Sequence, residues 1–451
     1  MNNKIYEAFH KFVKGKIMNV GFVSLGCSKN LVVTEEVIGL FKKHNFNIVN
    51  NEKNADIIVI NTCGFIESAK QEAIDTILEM AEYKKGRCKY IIAIGCMVER
   101  YEEELKRALP EVDLFIRIKD YNKLWTKISE LLKLEITNEC LQWADRVITT
   151  GNTMAYLKIA EGCSNHCTYC AIPKIQGPYI SREFNEIIEE AKSLMKKGIK
   201  ELIIIAQDTT KYGIDLYEKA RLPELLQELC KIDGIEWIRF LYAYPESITD
   251  ELIQVVKQND KICKYFDIPI QHISDDVLKR MNRKSNGKSI KELITKIREQ
   301  IPEVILRTTL IVGFPGETEE NFNELYKFVE QAKFDKLGVF TYSKEDGTPA
   351  EKMENQVHPS TKKSRYNKIM KLQKEISGQC LKNKIGKTYK TLIEEKSFDR
   401  KYLIGRTYMD VPDEDGVVFI ENTQNKDLIG KFVNVEIIDV QEYDLIGKFE
   451  K

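Results

Sequence analysis

Residues 163–170 read Cys163-Ser164-Asn165-His166-Cys167-Thr168-Tyr169-Cys170, three cysteines spaced C-x3-C-x2-C directly after the strand-like run 156–160. Three thiolates in so short a loop fit three corners of an iron-sulfur cube. Such clusters usually take four Cys ligands, so a set of three leaves one iron open to an exogenous ligand. Two other readings of the same residues stand beside this one. Zinc with His166 as fourth ligand is one, although structural zinc sites normally join two separated halves and no second half follows. Chance clustering in a chain with eleven cysteines is the other. A disulfide framework is not expected, since the N-terminal residues do not resemble a secretory signal.

A second triplet emerges from the elements around it. Strand-like runs at 19–24, 56–60 and 89–94 alternate with helical patterns at 31–43, 67–82 and 99–108, the rhythm of a parallel α/β sheet. Each strand ends in a cysteine: Gly26-Cys27 after the first, Asn61-Thr62-Cys63-Gly64 after the second, Gly95-Cys96 after the third. Ligands of open α/β sheets sit outside the carboxyl ends of the strands. Neighbouring strands lie about 4.8 Å apart, so three thiols on that edge can converge. A buried cysteine acting as a small hydrophobe explains one or two such positions. It does not explain three at matching strand ends. Cys88 precedes its strand and sits at the other edge, and with Cys140, Cys230, Cys263 and Cys380 it reads as a packing or surface thiol.

The C-x3-C-x2-C loop opens a longer alternation. Strand candidates at 156–160, 202–206, 236–241, 265–269, 304–312 and 336–341 are separated by helical patterns at 184–197, 222–231, 248–258, 289–299 and 319–332. Repeated βα units form a barrel with its site at the carboxyl ends of the strands, and six of them suggest a partial barrel. Polar groups fall at those ends: Gln207-Asp208-Thr209, Tyr244-Pro245-Glu246, Gln271-His272, Gly313-Phe314-Pro315-Gly316-Glu317 and Tyr342-Ser343. After a basic helical stretch from Lys362 to Lys374, short runs at 388–394, 403–409, 416–420, 432–438 and 443–448 alternate with glycines, which predicts a small antiparallel β-barrel. The expected domains are an N-terminal extension at 1–17 arising from an upstream start codon, an α/β domain at 18–135, the barrel core at 149–378 and the small barrel at 381–451.

Composition bounds these readings. The 451 residues carry 69 Lys plus Arg against 69 Asp plus Glu, with 43% hydrophobic and 31% charged residues, which describes a multidomain globular protein with no strongly basic balance. Residues 381–451 hold 12 basic and 14 acidic residues, whereas a module bound to a sugar-phosphate backbone is expected to be basic. Apolar stretches such as Tyr90 to Val98 fall short of the ~20 residues that span a bilayer. A cytoplasmic protein is expected.

The C-x3-C-x2-C spacing resembles the signature of radical S-adenosylmethionine (SAM) enzymes. The order of a three-cysteine α/β domain, such a barrel and a small terminal barrel resembles the methylthiotransferases, whose last module is called TRAM. Landmarks are Ser24-Leu25-Gly26-Cys27-Ser28-Lys29-Asn30, Asn61-Thr62-Cys63-Gly64-Phe65-Ile66, Gly95-Cys96, the cysteine loop and Gly313-Phe314-Pro315-Gly316-Glu317-Thr318. Gln271-His272-Ile273-Ser274-Asp275, Met281-Asn282-Arg283 and Gln207-Asp208-Thr209 resemble the RimO branch, which modifies an aspartate of ribosomal protein S-twelve of the small subunit. The other branch modifies a tRNA adenosine beside the anticodon. Gln176 departs from the family, which usually has Arg there, while Ser181-Arg182 matches.

The resemblance implies two 4Fe-4S clusters, a SAM-binding one on Cys163, Cys167 and Cys170 and an auxiliary one on Cys27, Cys63 and Cys96. It implies SAM contacts from Arg182, Gln207, Asp208, Gln271 and Gly313, with no side-chain acid or base. One electron splits SAM to a 5'-deoxyadenosyl radical that can attack the unreactive aspartate β-carbon, and methylated sulfur arrives through the auxiliary cluster. Both open irons are then expected to face one cavity. Implied partners are ribosomal protein S-twelve, an electron donor and a sulfur donor. No tRNA is expected, because an acidic terminal barrel suits a basic protein. The alternatives are tRNA adenosine methylthiolation with the same cofactors and a non-catalytic iron-sulfur sensor or RNA-binding protein. The polar strand ends favour a substrate cavity over that last class.

Overall fold

The chain divides into two compact units, residues 1–149 with 171–178 and residues 150–170 with 179–451. The computed structural model describes residues 17–137, 139–421 and 427–450, so the expected N-terminal extension, apart from Ile17, lies outside the described residues.

The first unit is built on a five-stranded, wholly parallel sheet of order β2-β1-β3-β4-β5, with β1 Asn19–Ser24, β2 Asn47–Ile48, β3 Ile57–Thr62, β4 Tyr90–Gly95 and β5 Leu114–Ile116. Central β3 reads IIVINT and is buried at every position, as a parallel strand covered on both faces must be. The covering helices are α1 Ser28–Lys43, α2 Glu67–Ala81, α3 Cys96–Ala108 and α4 Leu124–Leu132. The reversal of strand order between β1 and β3 is a topological switch point, where such sheets open a crevice at their carboxyl edge. The connecting segment beyond 135, where the periodicity lapses, belongs to the same compact unit as far as Thr149. Buried Glu35 accepts from Arg146 Nε at 2.7 Å and from the Thr149 backbone N–H at 2.6 Å, fastening the connecting segment to α1.

In the second unit six parallel strands follow one another in chain order: β6 Met154–Lys158, β7 Glu201–Ile205, β8 Trp237–Phe240, β9 Tyr265–Asp267, β10 Ile305–Val312 and β11 Lys336–Thr341. A parallel bridge between Ile238 and Ile262 joins the two three-stranded halves. Helices α5 Phe184–Lys196, α6 Leu222–Cys230, α7 Asp250–Gln258, α8 Gly287–Gln300 and α9 Glu319–Ala332 fall between them. Two of these helices start on capping boxes, Asn286 with Ser289 and Thr318 with Asn321. This is a partial (βα)6 barrel. Among the described residues no helix is long and apolar enough to cross a membrane.

Helix α10, Pro359–Lys382, leads into a closed barrel of order β12-β13-β14-β16-β15, with β12 Thr388–Lys396, β13 Tyr402–Thr407, β14 Val418–Glu421, β15 Phe432–Gln441 and β16 Asp444–Phe449. Four of its strand pairs are antiparallel; β14 and β16 pair in parallel, a detail that alternation alone does not reveal. The small barrel seats on the amino-terminal side of β7–β11 through charges. Glu201 accepts from Arg239 Nε at 3.1 Å and Arg406 Nη2 at 2.6 Å, Arg307 pairs with Glu414, and Lys336 meets Asp410 at 2.8 Å. Four acidic groups of that module, Glu394, Asp410, Glu414 and Asp415, thus face basic partners within the unit.

Burial alone raises the Glu201 pKa, but Arg406 and Arg239 outweigh it and hold the carboxyl below its ordinary range. A depressed folded-state value means stabilisation that is present above the unfolded pKa and is lost as pH falls through the folded one. Glu201→Gln leaves two guanidinium groups buried against a neutral amide. We expect a loss of about 3–5 kcal/mol in urea unfolding at neutral pH, narrowing in acid, because removing one partner strands the others. Glu236→Gln, which breaks an exposed pair with Lys390, is the control and should change little.

Candidate functional site

At the carboxyl edge of the first unit, the cysteines after β1, β3 and β4 stand close together. Gly26 has φ +85°, and a Cβ there would lie 2.8 Å from Cys63 Cβ and 2.9 Å from its Sγ, so the glycine is what lets Cys63 approach the Cys27 turn. Gly95, at φ +101°, has the Thr62 carbonyl 2.6 Å from where its Cβ would be. Backbone closes on backbone at Gly64, whose Cβ would meet Met97 Cα at 2.7 Å. Asn30 ties the edge together: its amide donates to Leu25 O at 3.1 Å and Thr62 O at 3.2 Å, its carbonyl accepts from Asn61 Nδ2 at 2.9 Å, and its Oδ1 lies 3.6 Å from Cys96 Sγ.

Local structure also suits anionic sulfur. Cys27 is the N-cap of α1 and Cys96 the first residue of α3, so both sit where unpaired helix N–H groups favour negative charge. The short helix Ile172–Gln176 packs Ala171 and Ile175 against Cys96, and Gln176 Nε2 reaches 3.7 Å from its sulfur. The position that departs from the family pattern thus presents a neutral donor to one of the three thiols.

The second triplet lies in the other unit, on an irregular loop held by side chains and carbonyls of surrounding loops. Thr168 N–H donates to Met281 O at 3.1 Å, Thr168 Oγ1 to Arg280 O at 2.8 Å and Asn282 Nδ2 to His166 O at 2.9 Å. Asn165 donates to Asp208 Oδ2 at 2.8 Å, and the Tyr179 N–H donates to Ser164 Oγ at 3.0 Å. Tyr169 packs edge-on against Phe314, in a cluster with Val277, Met281, Tyr342 and Ala350. Cys163 and Cys167 are buried and Cys170 is half-buried. Tyr244 Oη at 3.8 Å and Arg283 Nη1 at 3.9 Å approach Cys167 Sγ, and the Tyr169 hydroxyl also bonds it.

Of the five expected SAM contacts, two are committed inside the protein. Asp208 is fully buried and accepts from Asn165 and from Thr210 Oγ1 at 2.5 Å, so it anchors the cysteine loop. Arg182 pairs with Glu190 at 2.6 Å and donates to Lys158 O, tying α5 to β6. Gly313 takes φ +72°, and its N–H donates to Glu317 Oε2 at 2.6 Å. Gln271 takes φ +68° and bridges β10 through its backbone, while Gln207 is partly exposed after β7. Sequence reading missed Asn30, Tyr244 and Arg283 as neighbours of the sulfurs; only their positions beside the cysteine motifs and polar strand ends hinted at it.

Among the described residues no three Cys, His, Asp or Glu side chains gather closely enough for one metal ion. A cuboidal cluster takes one thiolate per iron and spreads its ligands more widely. The donor set fits such a group: thiols only, three per site, with hydrogen-bond donors aimed at sulfur. Burial pushes the Cys63 and Cys163 thiols up, so a bound metal would have to draw their thiolates out.

Residues 157–329 match the Radical SAM superfamily, residues 19–117 the uncharacterized protein family UPF0004 and residues 385–449 the TRAM domain. Over 432 residues the chain is 66% identical to the ribosomal protein uS12 methylthiotransferase RimO of Alkaliphilus oremlandii, covering 96% of this chain and 99% of that protein. Proteins of the same name from Thermoanaerobacter sp. and Clostridioides difficile are each 50% identical, over 96% of this chain and 100% and 98% of theirs. Among solved structures, the radical S-adenosylmethionine methyltransferase TsrM from Kitasatospora setae shares the fold, with TM-score 0.55 and 12% identity over 74% of this chain and 75% of that one. With the UPF0004, radical SAM and TRAM segments in this order and identity extending over nearly the whole length, the chain belongs to the ribosomal protein uS12 methylthiotransferase RimO family of radical SAM enzymes.

Proposed function

We propose that this enzyme adds a methylthio group to the β-carbon of an aspartate in ribosomal protein uS12, in the cytoplasm, using SAM and two 4Fe-4S clusters. The observation that carries the reading is the pair of three-thiol sites, each at the carboxyl edge of its own parallel sheet, in a chain 66% identical to a RimO protein. Cys163, Cys167 and Cys170 would hold the SAM-binding cluster, and Cys27, Cys63 and Cys96 the auxiliary one. When bound, the clusters supply the electron that splits SAM and the site that passes on methylated sulfur. The chain's own residues hold the loop (Asp208, Asn165, Asn282), brace the first cysteine edge (Asn30), donate to the sulfurs (Tyr244, Arg283, Gln176) and present Gln207, Gln271 and the Gly313 backbone to SAM. A separate electron donor and sulfur donor complete the reaction. Steering of the basic substrate by the terminal barrel is weaker than its composition suggests, because four of its acidic groups are paired internally.

Iron analysis tests the two-cluster reading. Anaerobically reconstituted protein should hold about eight irons per chain, and Cys163, Cys167 and Cys170 changed together to Ala should leave roughly half. A triple variant devoid of iron, or a parent that never exceeds about four, argues for a single cluster. Replacing Cys88, Cys140, Cys230, Cys263 or Cys380 by Ser should leave the iron content unchanged.

Substrate choice is tested by offering the reconstituted enzyme, SAM, reductant and sulfide either uS12 or unmodified tRNA. The expected product is uS12 heavier by about 46 Da on one aspartate, CH3S replacing H. That gain on tRNA adenosine alone would move the enzyme to the other methylthiotransferase branch.

A further inference from the structure

Arg283 is 7% exposed, and its surroundings differ from those of the other buried arginines of the fold. Arg146, Arg239, Arg365 and Arg406 are each buried against a carboxylate. Arg283 makes no ion pair with one among the described residues, and Glu246 acts on it only at longer range. Its Nη2 donates to Pro269 O at 3.0 Å, its Cζ stacks 4.3 Å over the Tyr244 ring, and its Nη1 lies 3.9 Å from Cys167 Sγ. Its Nε has no hydrogen-bond partner. A guanidinium does not shed its proton in a protein, and an uncompensated buried charge is strongly unfavourable. Of the groups in direct reach of this cation, the one that would be an anion as a cluster ligand is Cys167. Tyr244, whose ring it stacks on, turns its hydroxyl to the same sulfur at 3.8 Å.

We propose that Arg283, with Tyr244 as second donor, sets the reduction potential of the cluster held by Cys163, Cys167 and Cys170. The inference rests on the cluster reading above and goes beyond it by assigning the control of electron entry. Three thiolates give the bound cluster a net negative charge, which grows by one when an external one-electron reductant, such as a low-potential iron-sulfur or flavin protein, delivers its electron. A cation beside one sulfur stabilises the reduced form more than the oxidised one. Charge and hydrogen bonds at the sulfurs are the levers a protein has over such potentials. Arg283 is a positioning residue in this scheme. No bond is made or broken at its side chain, and its work is done before SAM is cleaved.

The test uses full-length protein in which Cys27, Cys63 and Cys96 are Ala, reconstituted anaerobically and titrated with dithionite under EPR, with iron measured throughout. Arg283→Gln should disfavour reduction by at least about tenfold, ~59 mV per tenfold for one electron. Arg283→Lys, which keeps the charge, should recover most of that, and Tyr244→Phe should shift the same way by less. An unmoved potential in iron-loaded Arg283→Gln overturns the inference, as does an equal shift in Arg283→Lys, which would assign the effect to packing. Should Arg283→Gln fail to hold iron, the decision passes to Tyr244→Phe: a shift against reduction supports the inference and none overturns it. Failure of the parent to bind about four irons removes the cluster reading itself, and this inference with it.

Discussion

An irregular loop must carry three sulfurs, and its backbone has neither helix nor sheet to satisfy it. Much of the architecture of the second unit answers that constraint. Buried N–H and C=O groups need partners, and around Cys163–Cys170 they come from the ends of other elements: the carbonyls of Arg280 and Met281 for Thr168, the amide of Asn282 for the His166 carbonyl. Asp208 reaches the same loop from the end of β7 through Asn165. The partial barrel matters because it brings these ends to one edge, and Tyr169, wedged against Phe314, pins the loop to the apolar interior.

Charge follows the same economy across the unit. On the amino-terminal side of the sheet, cations meet carboxylates, fully buried at Glu201 and partly exposed elsewhere, and the small barrel is seated through them: Arg239 and Arg406 on Glu201, Lys336 on Asp410, Arg307 on Glu414. At the carboxyl edge Arg365 still meets Glu317, whereas Arg283 faces sulfur instead. A cation without a carboxylate, buried beside a thiol, makes sense where a thiolate ligand is the anion. The first unit solves its version of the problem without a formal charge: helix N-termini at Cys27 and Cys96, and the neutral amide N–H of Gln176 close to Cys96.

Much of this was legible beforehand because it is local. Cysteines immediately after strands of a parallel sheet must share an edge, whatever the details, and the alternation of runs from 156 to 341 set both the count of six strands and their order. Boundaries drifted by one to three residues where caps rather than hydrophobic periodicity decide, as at α3, which begins on Cys96 itself and not at 99. Two-residue β2 and three-residue β5 carry too short a pattern to be read.

The sequence by itself determined the two cysteine triplets, the three modules and the family. Each rests on spacing along the chain, which folding cannot alter. Only the tertiary structure decided what the polar residues do, because a side chain's partner can lie anywhere in the sequence. Asp208 and Arg182, expected to touch SAM, also hold Asn165 and Glu190, and four acidic groups of the small barrel pair with Arg307, Lys336 and Arg406. Arg283, 116 residues from Cys167, finds its sulfur only once β9 and the loops around it have closed on the cysteine loop.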